Sequence, residues 1–149
     1  MVIVKDYLKP EYVVFLDCPD KKGCLDRMIE VISESPNIED GEAFRKAVFA
    51  REEIISTGLG LGIALPHVKI PEVKDLTVAI GIHHQGVDWE SLDNEPVHII
   101  FLIAGSEAQH TLYLQTVAKI MLILKNTRRR EQLLEARKAE NVLALFETV

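Results

Sequence analysis

The stretch Ser56-Thr57-Gly58-Leu59-Gly60-Leu61-Gly62-Ile63-Ala64-Leu65-Pro66-His67 sets three alternating glycines and a short apolar strand directly ahead of a histidine. Pro66 fixes its own φ and biases Leu65 toward extended backbone, so the strand ends stiffly and presents His67 at its rim. A ring held this way can act repeatedly from one position. An unperturbed imidazole, with a pKa of ~6.5, is mostly uncharged at neutral pH and keeps one nitrogen lone pair for attack. A phosphoryl group is a fitting target. The glycine string matches neither the dinucleotide nor the P-loop fingerprint, because it precedes the strand and no Gly-Lys-Ser/Thr follows. Gly62 and its neighbours equally suit a turn and a strand that another element approaches closely.

Working outward, residues 12–16 (YVVFL) are β-branched and aromatic and read as a first strand. Leu25, Met28, Ile29 and Ile32 then follow the spacing of an amphipathic helix that ends before Pro36. Asp40 is a natural N-cap for a second helix, with Phe44, Ala47 and Val48 as its apolar stripe. Arg51, seven residues after Phe44, falls on that inward stripe, an odd place for a charge. Residues 63–65, 76–82 and 97–104 are nearly continuous apolar runs, which suits strands covered on both faces. Asp93-Asn94 favours a tight turn. From Ser106 the pattern becomes helical, with Ser106 and Gln109 spaced as a capping box and Leu114, Val117, Met121 and Leu124 as the stripe. One turn back along that stripe lies His110. Helices over 128–136 and 140–146 close the chain. These elements predict an α/β fold: a three-layer α/β/α sandwich with a mixed β-sheet covered by helices on both faces, one domain over residues 1–149.

Composition narrows the function. The chain has 149 residues, 48% hydrophobic and 27% charged, enough for one cored domain and too short for two ordinary ones. A net charge of -6 gives no electrostatic footprint for nucleic acid and favours partners with a basic face. The opening Met-Val-Ile-Val-Lys-Asp lacks a basic-then-apolar signal pattern, and no run approaches the roughly 18 apolar residues of a membrane span. A cytoplasmic protein without direct membrane insertion is therefore expected. Cys18 and Cys24 fit neither a C-x-x-C pair nor a zinc pattern and read as reduced, incidental thiols. Five histidines without spaced cysteines or an H-E-x-x-H helix leave zinc poorly supported, and no metal or cofactor is expected.

Three residues stand out together: Arg51, His67 and His110. Taken singly, each has an ordinary explanation. A cation near a helix C-terminus is favoured by the dipole, and a histidine on an apolar face can be a hydrogen-bonded core residue. Near a helix N-terminus, however, the positive dipole end attracts anions and disfavours imidazolium, so a neutral His110 can donate to a phosphoryl oxygen or orient the His67 ring. Thr57 is a support residue, its hydroxyl donating to an oxyanion or capping local backbone. His83 and His84 point to opposite faces if their strand continues and cannot share a metal. His98 is expected to bond within the sheet. Arg128, Arg129 and Arg130 read as a solvated helix face.

Arg51-Glu52 followed by STGLGLGIALPH, the later segment from Gly86 and Trp89 through Pro96-Val97 to IIFLIA, and His110 leading a long helix together resemble the enzyme IIA proteins of the bacterial phosphotransferase system. The likeness is to the fructose/mannitol class, which includes a nitrogen-regulatory branch, and it runs through nearly the whole chain. It implies that His67 accepts a phosphoryl group from the histidine-containing phosphocarrier protein and passes it to an enzyme IIB component in sugar uptake. His110 would orient or hydrogen-bond the reacting group and Arg51 would stabilise its charge, with Thr57, Gly62 and Pro66 in support. The segment Leu8-Lys9-Pro10-Glu11-Tyr12-Val13 is closer to the regulatory branch, where phosphorylation would control docking to a kinase, transporter or other target. The resemblance assigns no role to His83 or His84.

Overall fold

The computed structural model describes residues 2–147 and 149. Its centre is β6, Val97–Ser106, in which Ile99, Phe101 and Ile103 face one side while Ile100, Leu102 and Ala104 face the other. Side chains alternate across a strand, so a continuous apolar run requires a hydrophobic layer on each face. Both layers are present. Helices α1, Lys21–Ile32, and α2, Gly41–Ile54, bring Leu25, Met28, Ile32, Phe44 and Val48 onto the Ile100 face. Helices α3, His110–Leu124, α4, Thr127–Glu135, and α5, Ala139–Ala144, cover the Phe101 face with Tyr113, Ile120, Leu133 and Val142.

The sheet is mixed. Strand β5, Thr77–Val87, runs antiparallel to β6 in a register that pairs Ile80 with Phe101, and β1, Val13–Phe15, lies parallel on the outer side of β5. The other edge of β6 carries two short parallel strands in succession, β3, Ile63–Ala64, and β4, His67–Ile70. Strand β2, Gly58–Gly60, folds back antiparallel on β3. The reversal passes through Leu61 and Gly62 at φ values of 58° and 75°, and glycine takes this left-handed backbone without a Cβ clash. The expected α/β/α sandwich is thus the observed one. Asp20 and Asp40 cap their helices by accepting from Gly23 N at 2.8 Å and Ala43 N at 3.0 Å.

Several local expectations are corrected. Tyr12 ends a 3-10 turn, Pro10–Tyr12, ahead of the first strand. β5 extends to Val87, five residues past the predicted end. Helix α3 is rotated from its predicted phase: the buried residues are Tyr113, Thr116, Ile120, Ile123 and Leu124, while Leu114 and Met121 are exposed. Apolar residues surround much of this helix, so spacing alone fits more than one inward face. The phase follows from Gly105, where a Cβ would stand 2.3 Å from Tyr113 Cδ1; only glycine lets the ring lie against β6. The capping box does not form. Ser106 caps the short turn Glu107–Gln109, and the Gln109 amide instead bonds Leu76 N at 2.9 Å and Asp75 Oδ1 at 3.1 Å. Nor are all three arginines a solvated face. Arg129 donates to Leu145 O at 2.5 Å and Arg130 to Leu124 O at 2.7 Å, satisfying carbonyls that helix ends leave unpaired. Only Arg128 behaves as predicted, in long surface pairs with Glu131 and Glu135.

Because Phe101 is fully buried and meets Phe146 edge-on at 5.9 Å, Phe101→Ala should cost roughly 3–5 kcal/mol in urea unfolding. Arg128→Ala, which removes only exposed ion pairs, should change stability by less than about 1 kcal/mol in the same assay.

Candidate functional site

The site forms where the edge beside β6 is broken between β3 and β4. Leu65 N turns away from β6 and donates to Thr57 O at 3.1 Å, and Pro66, which has no N–H to offer, contributes its carbonyl to Ile103 N at 3.0 Å. The pairing with β6 therefore lapses at Leu65-Pro66 and resumes in the same register at His67, opposite Ile103. The His67 ring folds back so that Nδ1 lies 2.6 Å from Leu65 O. A carbonyl only accepts, so Nδ1 carries the proton and Nε2 keeps the lone pair. The side chain is half-buried, with the Tyr113 ring tilted over it at 6.0 Å.

Strand alternation places Lys69 on the same side of β4 as His67. Lys69 Nζ lies 2.5 Å from His110 Nδ1. An ammonium donates only, so in this contact Nδ1 of His110 accepts and Nε2 holds its hydrogen, free to donate outward. His110 is exposed at the first position of α3, which corrects the expectation that it points inward: the rotated helix turns Tyr113 to the sheet and leaves His110 at the rim. His110 and Tyr113 are three residues apart on one helical face, so the helix sets one over Lys69 and the other over His67.

Arg51 is half-buried in the last turn of α2 and donates to Ile55 O at 2.9 Å. Burial pushes the Tyr113 phenol up to about 12, and the Arg51 guanidinium acts against that shift. The Arg51 charge thus acts on the phenol whose ring lies beside His67. Of the three residues singled out from sequence, His67 packs against Tyr113, His110 bonds Lys69, and Arg51 bonds the Ile55 carbonyl.

Thr57 is buried and makes no outward contact. Its N–H and hydroxyl donate to Glu52 at 2.8 and 2.6 Å, and its hydroxyl accepts from Trp89 Nε1 at 3.2 Å. Glu52 in turn holds Lys21 Nζ at 2.7 Å, with both side chains largely buried. Breaking such a pair by removing one partner typically costs ~3–5 kcal/mol, against ~0–1 for a surface pair. Glu52, Lys21, Lys69, Trp89 and Tyr113 received no role in the sequence reading. A signal existed for Glu52: Phe44, Val48 and Glu52 succeed one another at four-residue steps on the buried face of α2.

The other histidines lie elsewhere. His83 is buried, with Nε2 2.8 Å from Cys18 O and Nδ1 accepting from Gly86 N at 3.0 Å, while His84 is exposed and stacked on Phe15 at 5.9 Å. Their opposite facing agrees with strand alternation. His98 Nδ1 bonds within the sheet to His83 O at 3.0 Å. Among the described residues no group of three or more His, Cys, Asp or Glu side chains could hold a metal ion. No helix among them is long and apolar enough to cross a membrane. Beside the site, a groove of about 130 Å³ is lined by Leu59, Leu61, Ile63, Leu65, Met121 and Leu124.

The fold and these side chains define a class of α/β/α sandwich whose site is built on imidazoles at a sheet edge. The family described as phosphoenolpyruvate-dependent sugar phosphotransferase system, EIIA 2, matches residues 6–149, and the chain belongs to that family. The fructose-specific EIIABC component of Bacillus subtilis is 34% identical over 131 residues, 88% of this chain; the chain spans 21% of that relative's length. The crystal structure of nitrogen regulatory protein IIA-Ntr from Neisseria meningitidis superposes with a TM-score of 0.88 at 26% identity, covering 97% of this chain and 99% of that one. The complex of enzyme IIAMTL and phosphorylated enzyme IIBMTL from Escherichia coli shares the fold, with a TM-score of 0.80 at 20% identity over 95% of this chain and 98% of that one.

Titration of Tyr113 by NMR should place its phenol near 12, above the ordinary 10.0, and Arg51→Met should raise it further because a cation favours phenolate. A phenol whose pKa is higher folded than unfolded makes the fold lose stability as pH climbs from about 10 to about 12, which unfolding at alkaline pH will show.

Proposed function

We propose that residues 1–149 form a phosphocarrier domain that accepts a phosphoryl group on Nε2 of His67 and hands it on to a second protein. The observation that carries this reading is the 2.6 Å contact of His67 Nδ1 with Leu65 O, which leaves Nε2 as the free nucleophile. In the accepting step the Nε2 lone pair attacks phosphorus, a new N–P bond forms, the donor's N–P bond breaks, and its electron pair returns to the donor imidazole. Transfer of this kind passes through a loose transition state that demands positioning and charge stabilisation more than covalent help. Arg51 supplies a guanidinium for the phosphoryl oxygens, and His110 Nε2–H donates a hydrogen bond to the same group. The donor is the histidine-containing phosphocarrier protein and the recipient an enzyme IIB component, docking in turn against exposed Leu59, Leu61, Leu114 and Met121.

The likeness to the nitrogen regulatory protein, which extends over nearly both chains, favours a second reading. In it the phosphoryl state of His67 is itself the output and controls docking to a regulated target.

Incubation with phosphoenolpyruvate, enzyme I and the phosphocarrier protein should give acid-labile, base-stable label on the wild type and none on folded His67→Ala. Arg51→Met should slow labelling by roughly 10²- to 10³-fold, the usual effect of losing one charge-stabilising donor. An intact wild type that takes no label overturns the proposal. Affinity capture with wild type, His67→Ala and His67→Asp separates the two readings: partner sets that change with the charge at residue 67 support the regulatory one, and identical sets contradict it.

A further inference from the structure

We infer that Glu52 is a positioning residue for this transfer: through Thr57 it fixes the backbone at Leu65 that decides which nitrogen of His67 is free to react. The inference rests on His67 as the acceptor. Glu52 touches no reacting atom and acts only along a chain of hydrogen bonds.

Glu52 is buried, and both of its oxygens are committed. Oε2 accepts from Thr57 N at 2.8 Å and from Lys21 Nζ at 2.7 Å, and Oε1 accepts from Thr57 Oγ1 at 2.6 Å. Trp89 Nε1 donates to the same hydroxyl at 3.2 Å. Three groups of Thr57 interactions thus hold the residue, and its remaining polar atom, the carbonyl oxygen, accepts from Leu65 N at 3.1 Å. That bond restrains Leu65 on its N-terminal side. On its C-terminal side Pro66 restricts ψ, and the Leu65 side chain is buried at 2% exposure. The Leu65 carbonyl therefore has one direction available, toward His67 Nδ1. If Thr57 shifts, the carbonyl swings, Nδ1 loses its acceptor, and the ring can move its proton to Nε2. The lone pair then faces the Leu65 backbone instead of the incoming phosphorus.

A carboxylate suits this post because the neighbours on it all donate: a backbone N–H, a hydroxyl and an ammonium. Glutamine has the same shape but replaces one acceptor with an NH₂ group. With its oxygen kept on Thr57 N and Lys21, the NH₂ meets the Thr57 hydroxyl, whose own hydrogen then loses its acceptor.

The test uses the full chain labelled with ¹⁵N, wild type against Glu52→Gln and Thr57→Val. Long-range ¹H–¹⁵N correlations read the His67 tautomer, and the phosphoenolpyruvate-dependent relay reads transfer rate and its saturation. The wild type should show a single His67 tautomer protonated at Nδ1. Folded Glu52→Gln should show a mixture, with label still on His67, a maximal rate lower by about tenfold or more, and half-saturation by the phosphorylated carrier unchanged. A folded Glu52→Gln protein with the wild-type tautomer and rate overturns the inference. Should Glu52→Gln not fold, Thr57→Val, which removes only the hydroxyl, is read in the same way, and an unchanged tautomer there overturns it. If the wild type takes no label, the phosphocarrier reading fails by itself, and the tautomer comparison still decides whether Glu52 governs His67.

Discussion

The structure turns on a hydrogen-bonding mismatch at the edge of β6. The ladder to β6 would need an N–H at residue 66 that proline lacks, so it is interrupted there, while Leu65 N, on the β2 side of the strand, donates to Thr57 O. Two features stand at that gap. The Leu65 carbonyl turns to His67 Nδ1, and His67 begins a new strand with its ring at the rim and its backbone in register with Ile103. The ring nitrogen that bears the lone pair is thereby aimed by main-chain geometry.

The remaining elements hold that gap in place from two sides. From the α1/α2 face, Glu52, Lys21 and Trp89 clamp Thr57. From the opposite face, α3 seats Tyr113 against Gly105, and that seating sets His110 over Lys69. The two hydrophobic layers of the sandwich therefore meet at His67, each delivering part of its surroundings. Arg51 joins from the end of α2, close enough for its charge to be felt at the Tyr113 phenol.

Much of this was legible in the sequence because it is local. Pro66 before His67, the glycines before them, and the Asp40 cap each act within a few residues of chain, and the long apolar runs announce a sheet buried on both faces. What escaped depends on distant partners. The phase of α3 follows from one glycine on β6, which no spacing within the helix reveals. The stripe that leads to His110 is not the buried one; His110 stands at the rim, where the helix start overhangs Lys69. Arg129 and Arg130 look like surface charge until the helix ends they cap are seen beside them. Glu52 is hard to single out beside Arg51 because its partners Thr57, Lys21 and Trp89 come together only in the fold, though it is Glu52 that lies on the buried face of α2.

The central claim is that the backbone selects the reacting nitrogen of a single histidine. The most direct measurement is the nitrogen–phosphorus coupling in ¹⁵N-labelled, phosphorylated protein. The account requires that phosphorus couple to Nε2 of His67. Coupling to its Nδ1, or to a nitrogen of His83, His84, His98 or His110, would contradict it.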